Sequence, residues 1–411
     1  MKNTETNYAK RHSFLIIALI TAILFSFITC DNGGNPDPEP SIKLNTNAIN
    51  TMKGNTEELI ATVVSDKDII LVDWISSEDT VATVTRDADN STFATINAIK
   101  YGTAIITASI TTKNNDAKTA TCTVTVQEKK TTEATSKEIE TIWIPGGTFI
   151  MGQTGVAGPT HLVTLTGFFM GTKEVTQDQY AAVMDKNPSY FQTPVIETAD
   201  LTLPVERVSW YDALIFCNKL SVLEHLTPAY KIKNDINTAA WGIPPTSDSD
   251  NGTTGEIQNK KDWDAVVIDA GSTGYRLPTE AQWEYACRAG TTTSYYTGNT
   301  AIDNTGWYAN NSGSKTHPTG SKPKYKYEDG RNAFGNAFGL CDMHGNVLEW
   351  CWEWYGPYQT DPGSASSGSL RVARGGGWND TAEFLRSAFR YSYDPYIRNQ
   401  SIGFRVVRPA P

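Results

Sequence analysis

The chain has no Cys-x-x-Cys pair, no Gly-x-Ser-x-Gly turn, no phosphate-cradling glycine loop and no dinucleotide fingerprint. These absences argue against a dithiol redox pair, the nucleophile elbow of α/β hydrolases and cofactors held on glycine-rich turns. Histidine is scarce. Past the first thirty residues only His161, His225, His317 and His344 occur, with no i, i+4 spacing and no Cys/His cluster. A zinc or non-haem iron centre is therefore not expected. Positive charge is outnumbered, 35 Lys and Arg against 45 Asp and Glu, for a net charge of −10. Without a basic run, the chain carries no footprint for nucleic acid.

Long apolar runs are limited to Phe14–Ile28, shorter than the about 20 residues of a membrane-spanning helix. Lys2, Lys10 and Arg11 precede it, and Cys30 and the polar stretch DNGGNPDPEP follow. This order reads as a bacterial lipoprotein signal over residues 1–29, with Cys30 lipidated. The expected address is an exported protein, anchored in the membrane by lipid at the cell envelope. Residues 30–40 read as a tether, able to span ~35 Å when extended. Five further cysteines remain, an odd number, and Cys217, Cys287 and Cys351 lie in apolar segments. They are expected as buried free thiols, which behave as small hydrophobes.

What is present falls into two parts. Residues 41–127 read as β throughout. In TATCTVTVQ, Ala120, Cys122, Val124 and Val126 share one face and threonines the other. Short strands joined by polar turns predict a small sandwich. The runs VDWISSEDTVATV and INAIKYGTAIITASI resemble the bacterial immunoglobulin-like domain, group 2, which implies a spacer. Residues 128–140 are charged and Thr-rich and are expected to be a linker.

Residues 141–411 read as an α+β domain rich in turns. Thr176 with Gln179, Ser209 with Asp212, and Thr279 with Gln282 form helix-starting boxes. Trp283, Ala286 and Cys287 share a face of the third helix, with Gly290 at its end. Residues 227–274 read as a surface insertion.

This part carries the blocks IPGGTFIMG, KEVTQDQYAAVM, PVERVSWYDALIFCNKLS, GYRLPTEAQWEYACRAGT, FGLCDMHGNVLEWCWEWYG, RVARGGGW and IGFRVVRP. In this order they resemble the formylglycine-generating (sulfatase-modifying) enzyme family, which implies a C-type-lectin-like fold with few regular elements. In catalytic members two cysteines after the RGGSW-like block bind copper. Here those positions are Asp380 and Leu385, and a soft Cu(I) centre needs thiolates. Copper is not expected, and conversion of a client cysteine to formylglycine becomes the alternative reading. The family's calcium loop maps onto Asp342, Gly345, Val347 and Glu349. The resemblance implies a structural calcium there, held by two carboxylates and two carbonyls, the oxygen-only set that calcium takes.

In the last segment, Trp378, Ala382, Arg386-Ser387-Ala388, Arg390, Pro395, Arg398 and Ile402–Arg405 form a skeleton. Between them lie Asn379, Asp380, Thr381, Phe384, Tyr391, Ser392, Tyr393, Asp394, Tyr396, Ile397, Asn399 and Ser401. This resembles the variable region of retroelement-diversified proteins, although Glu383 and Gln400 depart from adenine-rich codon outcomes. Tyr with Ser and Asn is also the mixture that paratopes favour. The twelve residues are therefore expected to bind a protein or glycan on another cell or host surface. The remaining alternative is a purely structural envelope protein.

Overall fold

The structure, a computed structural model, describes residues 40–410 except 65–70, 112–116, 131–137, 193–201, 246, 249–259, 300–301, 323–324, 327–331, 334 and 359–366. The expected lipidation residue Cys30 and nearly all of the expected tether lie outside the described residues.

The first eight strands are β1 (Ser41–Leu44), β2 (Ala48–Met52), β3 (Thr56–Val64), β4 (Asp73–Ser76), β5 (Ala82–Arg86), β6 (Phe93–Ala98), β7 (Gly102–Thr111) and β8 (Ala117–Gln127). They form two four-stranded sheets, β1-β3-β6-β5 and β2-β8-β7-β4. The period-two pattern sets the packing. Ala104 and Ile106 of β7 meet Cys122, Val124 and Val126 of β8 and, from the other sheet, Leu59 and Ile96. Threonines 119, 121 and 123 face out, where β-branched side chains suit a pleated surface.

The stretch expected to be a linker is only partly one. Strand β9 (Lys129–Lys130) starts one residue after β8 ends and pairs with β10 (Thr141–Ile144). The Glu128 carbonyl accepts the Trp143 N–H at 3.3 Å, and Ile139 is buried. The Gln127 amide donates to the Phe338 carbonyl at 3.3 Å. The Tyr101 ring lies 4.9 Å from Trp143 and 5.2 Å from Phe169. The packing of the Tyr101 ring against Trp143 and Phe169 buries aromatic surface between the two parts, so the sandwich sits directly on the larger domain.

That domain continues with the hairpin β11 (Gly147–Gln153) and β12 (Ala157–Leu165), then β13 (Phe168–Gly171). Helices α1 (Gln177–Met184), α2 (Trp210–Leu223) and α4 (Glu280–Arg288) each begin at a complete capping box, on Thr176, Ser209 and Thr279. Helix α4 stops one residue before the expected glycine, because Ala289 takes the left-handed cap at φ 45°. Trp283, Ala286 and Cys287 are fully buried on its inner face.

Residues 227–274 are more than a surface insertion. Strand β14 (Tyr230–Lys231) pairs with β16 (Val267–Ile268). Trp241 and Trp263, the latter in the short helix α3 (Lys260–Asp264), are buried in the main core. Strand β15 (Ser247–Asp248) pairs in parallel with β22 (Ile397–Arg398). The Gly- and Ser-rich composition that suggested an external loop misses the two indoles, each of which buries about 150–250 Å².

A short pair, β17 (Tyr325–Lys326) and β18 (Asn332–Ala333), precedes β19 (Leu348–Trp354), β20 (Arg371–Arg374), β21 (Tyr391–Tyr393), β23 (Ile402–Gly403) and β24 (Val407–Pro409). The sheets are β24-β13-β10-β9 and β21-β20-β19-β23. Tyr180, Phe216 and Phe404 stack between helices and sheet, with centroids 5.1–6.4 Å apart.

Candidate functional site

The last segment is pinned from beneath by arginines of the skeleton. Arg390 makes two hydrogen bonds to Glu280, at 2.6 and 2.7 Å. Arg398 makes two to Asp212, both 2.8 Å. Both acids stand in the first turn of a helix, α4 and α2, where a negative charge meets the unpaired N–H groups. Arg374 is fully buried between Glu284 at 2.6 Å and Glu280 at 3.3 Å. Removing one member of such a pair leaves an uncompensated buried charge, so these bidentate contacts fix the path of the chain.

On this frame the twelve expected binding residues divide. Asn379, Thr381 and Phe384 are exposed. Asp380, Tyr391, Ser392, Tyr393, Asp394, Tyr396, Ile397 and Asn399 are half-buried. Ser401 is buried and donates to Asn399 Oδ1 at 2.7 Å. Its assignment to the binding face is corrected: the small hydroxyl closes a turn that Asn399 organises. Ile397 and Arg398 are in β22, already paired with β15.

Phe384, Phe389, Tyr391 and Tyr393 form one aromatic strip. Phe389 lies 5.0 Å from both Phe384 and Tyr391. Tyr391 and Tyr393 are nearly parallel at 6.1 Å. Phe389 was not among the expected residues. Its signal was the alternation Phe389, Tyr391, Tyr393, in which Phe389, just outside β21 (Tyr391–Tyr393), continues the spacing of the two strand tyrosines. Tyr190 and Arg207 were also missed. Tyr190 is 57% exposed, with the Arg207 guanidinium 4.9 Å over its ring. The Arg207 N–H donates to the Asn399 carbonyl, from a left-handed backbone at φ 58° that sequence alone does not reveal.

The two positions that hold cysteine in catalytic relatives lie in this segment and differ in environment. Asp380 accepts the Gly377 N–H at 2.8 Å, and the Tyr391 phenol acts on its carboxyl. Burial holds its carboxyl above the usual carboxylate range. Leu385 is fully buried against Tyr295, Ile302 and Tyr308, and its carbonyl bonds His344 Nδ1 at 2.8 Å. The five described cysteines are all buried. Burial pushes Cys287, beside His344, up to about 12, where a thiol is neither nucleophile nor soft ligand.

The loop expected to hold calcium surrounds a buried charge cluster. Glu349 takes Arg405 with both oxygens, each at 2.6 Å, and the Trp283 indole N–H at 2.7 Å. Asp342 accepts the Gly320 N–H. Glu174, absent from the expected set, accepts from Asn346 Nδ2 at 2.8 Å and Val347 N at 3.1 Å. Burial first, then the charges of Asp342 and Glu349, raise the Glu174 carboxyl well above its ordinary value. Burial raises Asp342 to about 6. Three buried carboxylates thus share Arg405, a charge deficit that suits a hard cation. The geometry is not an assembled cage: among the described residues no three acidic, His or Cys side chains are grouped to hold a metal, and Glu349 is committed to Arg405 and Trp283. The donor chemistry fits calcium at Asp342 better than at Glu349.

Residues 126–410 match the family described as Sulfatase-modifying factor enzyme 1-like domain. The chain belongs to this family. It is 35% identical over 276 residues to the chaperone protein LppX of Paenibacillus barcinonensis, covering 65% of this chain and 88% of that protein. It is 30% identical over 256 residues to the formylglycine-generating enzyme of Mycobacterium tuberculosis, covering 55% of this chain and 78% of that protein. Among solved structures it resembles Treponema denticola variable protein 1, with TM-score 0.57 and 34% identity over 69% of this chain and 99% of that one. The α+β, lectin-like fold of this sulfatase-modifying-factor domain is therefore the fold of its relatives.

Proposed function

We propose that the protein is a surface lipoprotein whose sulfatase-modifying-factor domain binds a ligand and does not oxidise one. The observation that carries this reading is the fate of the two family cysteine positions. One is a buried leucine in an apolar cluster, and the other a carboxylate tied to Tyr391. Beside them lies a half-exposed aromatic strip on a rigid frame, the arrangement expected of a contact surface. The likeness to a variable protein supports the same reading. The ligand is a protein or glycan on another cell or host surface. The sandwich of residues 41–127 serves as an immunoglobulin-like spacer, Cys30 carries the lipid, and calcium has a structural role near Asp342.

The test is capture of whole cells or host glycoproteins by the immobilised protein. Tyr396→Ala and Phe384→Ala should reduce capture while melting stays close to the parent. Capture unaffected by either change would remove the binding face from this segment. Separately, Cys30→Ala should move the protein out of the detergent phase. Unchanged partitioning would dismiss the anchor.

A further inference from the structure

We propose that the aromatic strip recognises a cationic side chain, so that the partner is a protein offering Arg or Lys to the rings of Phe384, Phe389 and Tyr391. This rests on the ligand-binding reading and names the chemistry of its site. The first observation is ring geometry. The three rings touch one another, with centroids 5.0, 5.0 and 6.1 Å apart and planes inclined by 51° to 79°. Phe384 is 36% exposed and Phe389 and Tyr391 are half-buried. Inclined rings in mutual contact that stay partly exposed offer π surface to solvent, and the negative face of an aromatic ring attracts a cation.

The second observation is charge. The charges of Asp380 and Glu383 both act on the Tyr391 phenol. Glu383 is fully exposed. The cations of the segment are directed elsewhere. Arg390 is held by Glu280 and Arg398 by Asp212. Arg386 acts on both Glu383 and Tyr295. Asp380 and Glu383, the two carboxylates that act on Tyr391, therefore outnumber Arg386 at the rim. Aromatic floor and acidic rim are complementary to one kind of side chain, and the net charge of −10 steers such a partner inward. Arg is favoured over Lys, because its planar guanidinium stacks on a ring while bonding a carboxylate.

The experiment uses the full chain and three fluorescent Gly-Ser peptides, carrying four arginines, four citrullines or four glutamates, read by anisotropy at two salt concentrations. The arginine peptide should bind about tenfold more tightly than the citrulline peptide, the value of one good cation–π contact with its carboxylate. Phe384→Ala and Glu383→Gln should each weaken it about fivefold. Glu58→Gln, which removes an equal charge from an exposed site on β3, should leave it unchanged. Equal binding of the citrulline peptide, or an equal loss in Glu58→Gln, overturns the proposal. If that happens while Phe384→Ala and Tyr396→Ala still abolish capture of cells, the binding face stands and only its preference for cations falls. If neither assay responds, both are wrong.

Discussion

Burial first, and then Asp380, hold the Tyr391 phenol above its ordinary range, and Asp380 stands where the family resemblance expects a cysteine. Asp380 also accepts the Gly377 N–H, which makes it a fixed polar neighbour of the aromatic strip. The partner position has gone further, into the core.

The first expectation follows from this. Purified protein given Cu(I), oxygen and a cysteine-containing sulfatase peptide should leave the peptide mass unchanged. Conversion above a metal-only control would restore the oxidase reading. Leu385→Ala should cost about 2–5 kcal/mol, as for other buried leucines, and a small effect would show that the position is not core.

Frame and surface should separate under mutation. Arg398→Met leaves Asp212 buried without its bidentate partner and should destabilise by about 3 kcal/mol. Asn399→Ala removes the acceptor for the Ser401 N–H and hydroxyl and should also lower stability, by about 1–2 kcal/mol. Thr381→Ala, Phe384→Ala and Tyr396→Ala should shift stability by less than about 1 kcal/mol. Urea titration of each variant reads the difference, and equal losses in both groups would make the strip part of the core.

Calcium should raise the melting temperature. A ligand binding only the native state at a hundredfold excess over Kd adds about 2.7 kcal/mol. The increment should vanish in Asp342→Asn and persist in an Asp394→Asn control. Superimposable curves for the parent in calcium and in chelator would leave Arg405 and Lys173 as the counter-charges of the cluster.

Glu353 sets a pH dependence. Burial, then the charge of Glu280, raises its carboxyl from 4.5 to about 7. The folded state therefore keeps a proton that the unfolded chain releases. Its contribution to stability is complete below the unfolded value and is lost as pH rises through about 7. Glu353→Gln should thus gain stability relative to the parent between about pH 5 and pH 8, measured by denaturant titration at each pH. A constant difference across that range would exclude Glu353 as the titrating group.

Much of the architecture was legible from local chemistry. The three capping boxes each announce a helix, because side chain and backbone satisfy each other within four residues. The threonine alternation of β8 announces a sandwich face. Long-range partners were not legible. Nothing near Glu349 in the chain foretells that Arg405 will take both its oxygens, or that Glu174, so distant in sequence, will join the cluster. The insertion was misread for the same reason: Trp241 and Trp263 find their burial only through α2 and its neighbours. At the candidate face the twelve residues were chosen by residue type, which does not separate the buried Ser401 from exposed positions, because a turn's inner hydroxyl has the same composition as an outer one.

The seam of Tyr101, Trp143 and Phe169, with Gln127 bonded to Phe338, bears on cooperativity. Strand β8 passes into β9 with a single residue between them, so neither part can melt without exposing aromatic surface of the other. Calorimetry of the intact chain should then record one heat-absorption peak, with the calorimetric enthalpy equal to the van't Hoff value. Tyr101→Ala should split it into two. The sandwich and the larger domain would be a single thermodynamic unit, and a destabilising change in the sandwich would be felt at the last segment without any contact between them.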